Sequence, residues 1–346
     1  MSEPLVTSPI PKKKWKSLIA QDLGALPEQS PEWIDALVAT SHHRDASRLY
    51  SFADGREVLL PLVQRRGVAG VGGWLQSYPQ GWGMGGLIGA TVDSAMTKAI
   101  VADLRSLGKQ RISIRPDPLR WSGWADALDD RVYCIPRRAH VVDLSGGVDA
   151  VWGRMSKSAR RGVRSAENLG ITIETGSSDA ILEKYYSLFL MSVDRWANQQ
   201  HEPLVLARAR AKHRDPFDKL QLISKHLGNN LLVTLAYADG KPAAGSISLF
   251  AGTAHDTRSA MDRELVGSSG AGDLVQWTTL KLACERECTA YHLGESGQST
   301  KLALFKEKFG ARPYDYAELR IERLPWSPAD VALRTSVKRV LGFHDV

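Results

Sequence analysis

The chain has 346 residues, and its 45 Lys and Arg against 38 Asp and Glu give a formal net charge of +7. This length predicts two domains, and a hydrophobic fraction of 43% lets each bury a core. The positive charge favours anionic partners, including nucleic acids. The three cysteines form neither a disulfide framework nor a C-x-x-C metal pair, and no apolar stretch suits a secretion signal or a membrane span. We therefore expect a cytoplasmic protein without a metal site.

The first basic cluster lies near the N-terminus. It consists of Lys12, Lys13, Lys14 and Lys16, and it follows Pro11 directly. A lysine run flanked by proline near a terminus is typical of a disordered lead-in, and contact with an acidic surface is the alternative.

The first half of the chain predicts a strand at Gly55–Gln64, a glycine-rich segment at Gly67–Gly89 and a second strand at Arg111–Arg115. A helix precedes that second strand, and its apolar face consists of Met96, Ile100, Leu104 and Leu107. Tyr78 and Trp82, in the glycine-rich segment, are candidates for lining an acceptor pocket, because glycines let a backbone approach a ligand closely. A loop that only covers the core is the alternative.

The most basic stretch lies between Trp152 and Gly170. Its cations are Arg154, Lys157, Arg160, Arg161 and Arg164. Ser156 occupies a typical N-cap position and Gly170 a typical stop position, so the stretch predicts one helix. Spacings of three and four residues gather the cationic heads on adjoining helix faces. The helix indicates a phosphate-binding surface, and a solvated basic face without a ligand is the alternative.

The second half repeats the order of elements seen in the first. Leu231–Tyr237 and Ala244–Phe250 are predicted strands around an Asp239-Gly240 turn, which is typical of a hairpin. A glycine-rich turn, an apolar-faced helix and a short strand at Ala290–Leu293 follow. The repetition predicts an α/β protein with two tandem domains, each a mixed sheet flanked by helices, which we place at residues 1–145 and 146–346.

Three segments carry a resemblance to a known family: Val141–Gly170, Ala244–Cys288 and the closing run Gly294–Gly310, GESGQSTKLALFKEKFG. Together they resemble the FemAB-like and BioF2-like acyltransferases, the tandem-domain branch of the GNAT superfamily. The resemblance implies two GNAT-like domains with a cleft between them, the first on the acceptor side and the second binding the donor. Fem-type members transfer an amino acid from aminoacyl-tRNA to an amine of a peptidoglycan precursor, and other members use acyl-CoA. The long helical-hairpin arm of some Fem enzymes has no counterpart in this sequence.

The resemblance also implies site residues. By their place in LALFKEKFG, Phe305 and Lys306 match a Phe-Lys pair that lies beside the tRNA acceptor end and the reacting carbonyl. Lys306 is then expected to stabilise the oxyanion that forms as an amine attacks the ester. The donor phosphates are expected to contact Lys157, Arg160, Arg161 and Arg164.

The attacking amine must lose a proton, and Asp256, Asp262 and Glu295 are the carboxylates that we consider as its base. Glu295 follows a strand, at an end where ligands of open α/β sheets gather. Each of the three could instead be an ordinary surface acid or a cap, and the amine could lose its proton without a protein base.

The glycine-rich turn Gly267–Gly272 is where a CoA-dependent GNAT enzyme would bind diphosphate, with Gly270 and Gly272 exposing amides at a helix N-terminus. The Arg or Gln that begins that motif is replaced by Gly267, and Asp273 adds a negative charge, so the turn disfavours CoA. A second basic run either extends a track for RNA or forms an exposed charged face. Its members are Arg208, Arg210, Lys212 and Arg214.

The sequence therefore predicts an amide-forming aminoacyltransferase with no bound cofactor and aminoacyl-tRNA as co-substrate. The expected acceptor is an amine of a cell-wall precursor or a small molecule. An acyl-CoA-dependent N-acyltransferase is one alternative, and a non-catalytic RNA-binding protein is another. The amino acid, the acceptor, the general base and the oligomeric state, a monomer included, stay open.

Overall fold

A computed structural model of the protein describes residues 3–40, 42–65, 73–89, 91–297, 299–324 and Ser327. Residues 67–72 of the predicted glycine-rich segment lie outside this range. The described residues divide into two compact units: unit 1 contains those up to Arg138 and those of 314–324, and unit 2 contains those of Ala139–Pro313. The sequence-based division at residue 145 assigned the whole C-terminal part to one domain, whereas the last described strand pairs within unit 1.

Unit 1 is built from two sheets and four helices within the described residues. Its elements are β1 (Leu5–Thr7), α1 (Lys12–Ala20), α2 (Pro31–Thr40), β2 (His43–Asp45), β3 (Arg48–Ser51), β4 (Glu57–Leu60), β5 (Val63–Arg65), β6 (Leu75–Gln76), α3 (Ser94–Ser106), β7 (Arg111–Ile114), α4 (Trp121–Ala125), the first part of β8 (Val132–Asp143) and the closing strand β14 (Arg312–Glu322). The small sheet has the order β1-β3-β4, and the larger one runs β2-β5-β6-β7-β14 and then β8. Helix α3 buries its predicted apolar face against this core.

The lysine-rich N-terminus is ordered, contrary to the expectation of a disordered lead-in. Its lysines form helix α1, which buries Trp15 and Leu18. Lys12 pairs with Asp35, Lys14 with Glu57 and Lys16 with Glu32. The carboxylates that order this segment come from later in the chain, so its local composition did not reveal them.

Unit 2 has one mixed sheet with helices packed against it. Its elements are the last part of β8, α5 (Gly147–Arg154), α6 (Lys157–Asn168), β9 (Thr172–Gly176), α7 (Asp179–Gln199), α8 (Leu204–Arg214), α9 (Phe217–Leu227), β10 (Leu231–Ala238), β11 (Lys241–Phe250), β12 (Ala254–Met261), α10 (Arg263–Val266), α11 (Ala271–Glu285), β13 (Ala290–Glu295) and α12 (Thr300–Glu307). The strand order is β8-β13-β12-β11-β10-β9, and β12 and β13 are the parallel pair. The predicted hairpin is confirmed as β10–β11, with Asp239 and Gly240 both at positive φ.

The predicted basic helix is confirmed as α6, and it packs closely on α11. Ser156 caps α6 through its hydroxyl, which accepts the amide N–H of Ala159 at 3.1 Å. A Cβ at Gly270, which has φ +80°, would lie 2.1 Å from the carbonyl oxygen of Gly162. A Cβ at Gly162 would in turn meet the carboxylate of Asp273. The two glycines therefore let the N-terminus of α11 touch the middle of α6.

Gly270→Ala should destabilise the protein by at least about 2 kcal/mol, because a left-handed backbone and an overlap with α6 both oppose a side chain there. Gly272→Ala is the matched control, since a Cβ at Gly272 meets no atom within 4 Å. Placed in the first turn of α11, that alanine should stabilise the helix by up to about 1 kcal/mol. Urea denaturation measures both changes, and equal midpoints for the two variants would contradict the packing described.

Candidate functional site

The site is built around the point where β12 and β13 separate. The two strands pair only at Ala254 with Tyr291 and at His255 with His292 in the described register. The pairing of β13 with β8 also shifts register between His292 and Glu295. The end of β13 therefore carries backbone carbonyls that need donors other than a neighbouring strand.

Lys306 supplies those donors from α12. Its ammonium donates to the carbonyl oxygens of Gly294 at 3.0 Å and Glu295 at 2.8 Å, and the residue is only 6% exposed. Phe305 and Phe309, whose rings are 5.3 Å apart, bury the adjoining face of α12 in the core of unit 2. Burial lowers the pKa of Lys306 from 10.5 to about 8, although nearby carboxylates favour its charged form. The ammonium is therefore the main form at neutral pH.

Asp256 is the buried carboxylate that favours this charge. It lies on β12 with 9% of its surface exposed, and the hydroxyl of Ser259 donates to it at 3.1 Å. Burial raises the pKa of Asp256, while hydrogen bonds and the charges of His255 and Lys306 lower it. The sequence named Asp256 only as one of three possible bases, because nothing in its local pattern reveals its burial beside Lys306.

The other two predicted carboxylates occupy different positions. Glu295 lies at the end of β13, and its backbone carbonyl is one of the two that bind Lys306. Asp262 is the N-cap of α10, and its carboxylate accepts the amide N–H groups of Glu264 at 2.9 Å and Leu265 at 3.3 Å. Capping α10 is thus a structural role that explains why position 262 is an aspartate. A catalytic role for Glu295 or Asp262 stays a prediction.

Helix α6 forms an open groove of about 560 Å³. Its lining residues are Lys157, Arg160, Arg161, Arg164, Ser165, Asn168 and Leu169. The opposite face of the helix buries Ala159, Val163 and Ala166 in the core of unit 2. Packing of this apolar face fixes the orientation of α6, and its cationic face is therefore turned toward solvent.

The cations of this groove differ in how they are engaged. Arg160 donates to the carbonyl oxygens of Trp152 at 3.1 Å and Gly153 at 3.0 Å, so it caps the C-terminus of α5. The guanidinium of Arg164 lies 5.8 Å from the ring centroid of Trp152. Lys157 and Arg161 are exposed, and neither forms an ion pair within the described part of the chain. Lys157, Arg161 and Arg164 are thus the cations that can accept an anion.

Three of the four cations in the second basic run, on α8, are paired instead. Arg208 forms a two-pronged pair with Asp194, at 2.8 and 2.6 Å. Arg210 binds Glu202 at 2.6 Å, and Arg214 binds Asp215 at 2.8 Å. Acids from neighbouring segments therefore engage these three arginines, which favours the charged-face interpretation over a track for RNA.

The groove and Lys306 are connected through the end of α12. The amide N–H of Ser156, the N-cap of α6, donates to the carbonyl oxygen of Lys308 at 2.8 Å. The ammonium of Lys308 binds the Asp273 carboxylate at 2.6 Å. Helix α6 thus begins where the helix carrying Lys306 ends, although Lys306 itself does not line the groove.

The glycine-rich turn before α11 is closely covered. Gly270 lies against α6, and Asp273 holds its carboxylate at the same helix end, paired with Lys308. Gly272 has open space around it. A diphosphate at this N-terminus would meet the Asp273 carboxylate, which opposes the helix dipole's attraction for anions.

The two aromatic residues predicted for the acceptor pocket lie inside unit 1. The Tyr78 hydroxyl donates to the carbonyl oxygen of Glu28 at 2.5 Å. The ring of Trp82 packs edge-on against the ring of Trp33, with the two centroids 5.4 Å apart. The indole N–H of Trp33 also donates to the carbonyl oxygen of Trp82. Tyr78 thus holds the glycine-rich loop against the segment before α2, and Trp82 holds it against α2 itself. Their contact with an acceptor stays a prediction.

Among the residues that the structure describes, no group of His, Cys, Asp or Glu side chains could hold a metal ion. No helix in the described ranges is long and apolar enough to cross a membrane.

Comparison with known proteins agrees with the predicted superfamily. Residues 153–306 match the family model of the acetyltransferase (GNAT) domain. The crystal structure of FemX superposes with a TM-score of 0.66 at 12% identity, covering 92% of this chain and 97% of FemX. A conserved protein of unknown function from Bacteroides thetaiotaomicron superposes with a TM-score of 0.54 at 11% identity, covering 90% and 96% of the two chains. No curated protein matches significantly.

These findings confirm two predictions from the sequence. The fold is the tandem GNAT-like α/β architecture, and the resemblance to FemAB-like proteins is confirmed. The matched residues lie within unit 2 and include α6 and Lys306, so this part of the chain is similar to an acetyltransferase (GNAT) domain.

The buried ammonium of Lys306 predicts a pH-dependent stability. Between pH 8 and 10.5 the unfolded chain keeps this proton and the native protein has lost it, so the free energy of unfolding rises with pH. Relative to Lys306→Met, the free energy of unfolding of the wild-type protein should rise by about 1.4 kcal/mol per pH unit in this window. Below the window, this difference should not change with pH. Urea titrations of both proteins from pH 7 to 10 measure the difference. A difference that stays constant with pH would contradict the burial of the charge.

Proposed function

We propose that the protein is an aminoacyltransferase that moves an amino acid from aminoacyl-tRNA to the amine of an acceptor, forming an amide. The observation that carries this proposal is the groove of α6, where Lys157, Arg161 and Arg164 face solvent without a carboxylate partner in the described residues. Unneutralised cations in one groove match the spaced phosphates of a nucleic acid backbone. A cytoplasmic location, where charged tRNA is made, is part of the proposal.

The choice of donor rests on the contrast between α6 and the N-terminus of α11. The α6 groove is open and cationic, whereas the α11 terminus carries the Asp273 carboxylate and the close contact of Gly270 with Gly162. A diphosphate of CoA would have to approach that carboxylate. The phosphates of tRNA need only the exposed face of α6, so the geometry supports tRNA over CoA.

Lys306 is the proposed electrostatic catalyst. When the amine attacks the ester carbonyl, negative charge develops on the carbonyl oxygen, and a nearby ammonium in a site of low polarity stabilises it. The two backbone carbonyls fix the ammonium in place before the reaction, which avoids reorganisation. The proposed acceptor is an amine of a peptidoglycan precursor, as the resemblance to Fem-type enzymes implies, or of a small molecule. The protein shares its fold with FemX.

The donor assay tests the proposal directly. The protein is incubated with a pool of radiolabelled aminoacyl-tRNAs or with labelled acetyl-CoA, and label on amine acceptors is measured before and after RNase treatment. We expect transfer from tRNA that RNase abolishes, and a loss of about 10²- to 10³-fold in Lys306→Met. Circular dichroism checks that this variant is folded. Transfer from acetyl-CoA alone would establish the CoA-dependent alternative instead.

Binding of tRNA gives a separate test of α6. The double substitution Arg161→Gln and Arg164→Gln should weaken tRNA binding and reduce the slope of log K against log salt by roughly 0.7 to 0.9 for each phosphate that the variant no longer binds. The matched control is Arg208→Gln with Arg210→Gln, which removes the same charge from α8, where carboxylates already pair it. Equal reductions of affinity in the two double variants would show that only net charge matters and would refute a phosphate site on α6.

The same experiments separate the non-catalytic alternative. An RNA-binding protein without catalytic activity would bind tRNA through α6, give no labelled acceptor and show the same tRNA affinity with or without the Lys306 ammonium. The buried, desolvated lysine at the opening of a parallel strand pair favours catalysis, since perturbed pKa values concentrate at functional sites.

A further inference from the structure

Three side chains next to Lys306 form a chain from the interior of unit 2 to its surface. Ser296 follows β13, His140 lies on β8 and Glu307 ends α12. The hydroxyl of Ser296 lies 3.1 Å from Nδ1 of His140, and Nε2 of His140 lies 3.5 Å from a carboxylate oxygen of Glu307. We infer that Ser296, His140 and Glu307 form a proton relay that takes the proton from the attacking amine.

The backbone places Ser296 where such a group is needed. Gly294 and Gly297 both adopt positive φ, at 69° and 54°, so the chain turns sharply between β13 and α12. Ser296 is held inside this turn, one residue after Glu295, whose carbonyl binds the ammonium of Lys306. The serine hydroxyl and the proposed oxyanion stabiliser therefore lie at the same strand end.

The first two members of the relay are buried, and only Glu307 is exposed. Ser296 is 7% exposed, the side chain of His140 is 1% exposed, and that of Glu307 is 42% exposed. A nucleophile or base within hydrogen-bond reach of a histidine, with a third group orienting that histidine, is the arrangement by which protons are moved in acyl transfer. The exposed carboxylate gives the buried imidazole a partner that reaches solvent.

The relay deepens the proposed function and rests on it. As the amine nitrogen bonds to the ester carbonyl carbon, its proton passes to the Ser296 oxygen, whose own proton passes to Nδ1 of His140. The Glu307 carboxylate stabilises the resulting imidazolium. When the ester C–O bond breaks, the proton returns through Ser296 to the leaving ribose oxygen, so an amine and an ester become an amide and an alcohol.

This assignment requires one tautomer of His140. Nδ1 must be the unprotonated acceptor of the Ser296 hydroxyl, and Nε2 must carry the hydrogen that points to Glu307. The opposite tautomer would donate from Nδ1 to Ser296 and leave nothing to accept its proton. The tautomer of neutral His140 therefore tests the relay, and it can be measured without any substrate.

Nitrogen NMR of the protein labelled with ¹⁵N-histidine gives that measurement, with His140→Gln identifying the signal. We expect the neutral imidazole of His140 to carry its hydrogen on Nε2, and we expect its Nδ1 signal to shift in Ser296→Ala. A neutral imidazole protonated at Nδ1 would overturn the relay, whatever the donor assay shows.

Kinetics of matched serine variants complete the test. Ser296→Ala should lower the rate of transfer by roughly 10²- to 10⁴-fold, the usual contribution of general acid–base catalysis. Ser299→Ala, in the same turn, removes only the hydroxyl that caps α12 and should keep the rate within about threefold. Equal rates for Ser296→Ala and the wild-type protein would overturn the relay and leave the proposed function standing. No transfer by the wild-type protein from any donor would refute the function, and the tautomer would still decide whether Ser296 is activated.

Discussion

The site of unit 2 depends on one interaction, the binding of the Lys306 ammonium by two backbone carbonyls. Strand β13 stops pairing with β12 after His292, and its register with β8 shifts before Glu295, so the carbonyls of Gly294 and Glu295 turn away from a regular ladder. Hydrogen bonds to a charged donor are about twice as strong as neutral ones. Lys306 therefore satisfies the open strand end, and the strand end in turn compensates a charge that burial would otherwise expel.

Residues 305–309, at the end of α12 and directly after it, link this interaction to the rest of unit 2. Phe305 and Phe309 anchor the helix in the core, and Lys306 reaches the strand end from the neighbouring face. Lys308 binds Asp273 at the start of α11, and its carbonyl accepts the first amide of α6. The order of apolar and cationic residues in this short run thus sets the positions of Lys306, the proposed catalyst, and of α6, whose cations we propose as the phosphate-binding groups.

Local patterns in the sequence were enough to identify several helices and strands, because caps, turns and apolar periodicity act over a few residues. Ser156, Gly170 and the Asp239-Gly240 turn identified α6 and the β10–β11 hairpin for that reason. Long-range contacts were not accessible in this way. Nothing near Tyr78 shows that its hydroxyl binds the backbone of Glu28, and 156 residues separate Ser296 from His140. The resemblance to Fem-type proteins located Lys306, whereas its burial and its two carbonyl partners required the structure.

The two basic helices of unit 2 show why charge counts alone do not locate a binding site. Helices α6 and α8 have similar numbers of cations, and both appeared as basic runs in the sequence. Acids on α7 and on the segments flanking α8 reach Arg208, Arg210 and Arg214, whereas Lys157 and Arg161 have no such acid in the described residues. A paired guanidinium must lose its carboxylate before it can bind a phosphate, and an unpaired one only exchanges water and counterions. The affinity that we propose for an anionic donor therefore depends on which cations the fold leaves unpaired, and Lys157 and Arg161 of α6 are among them.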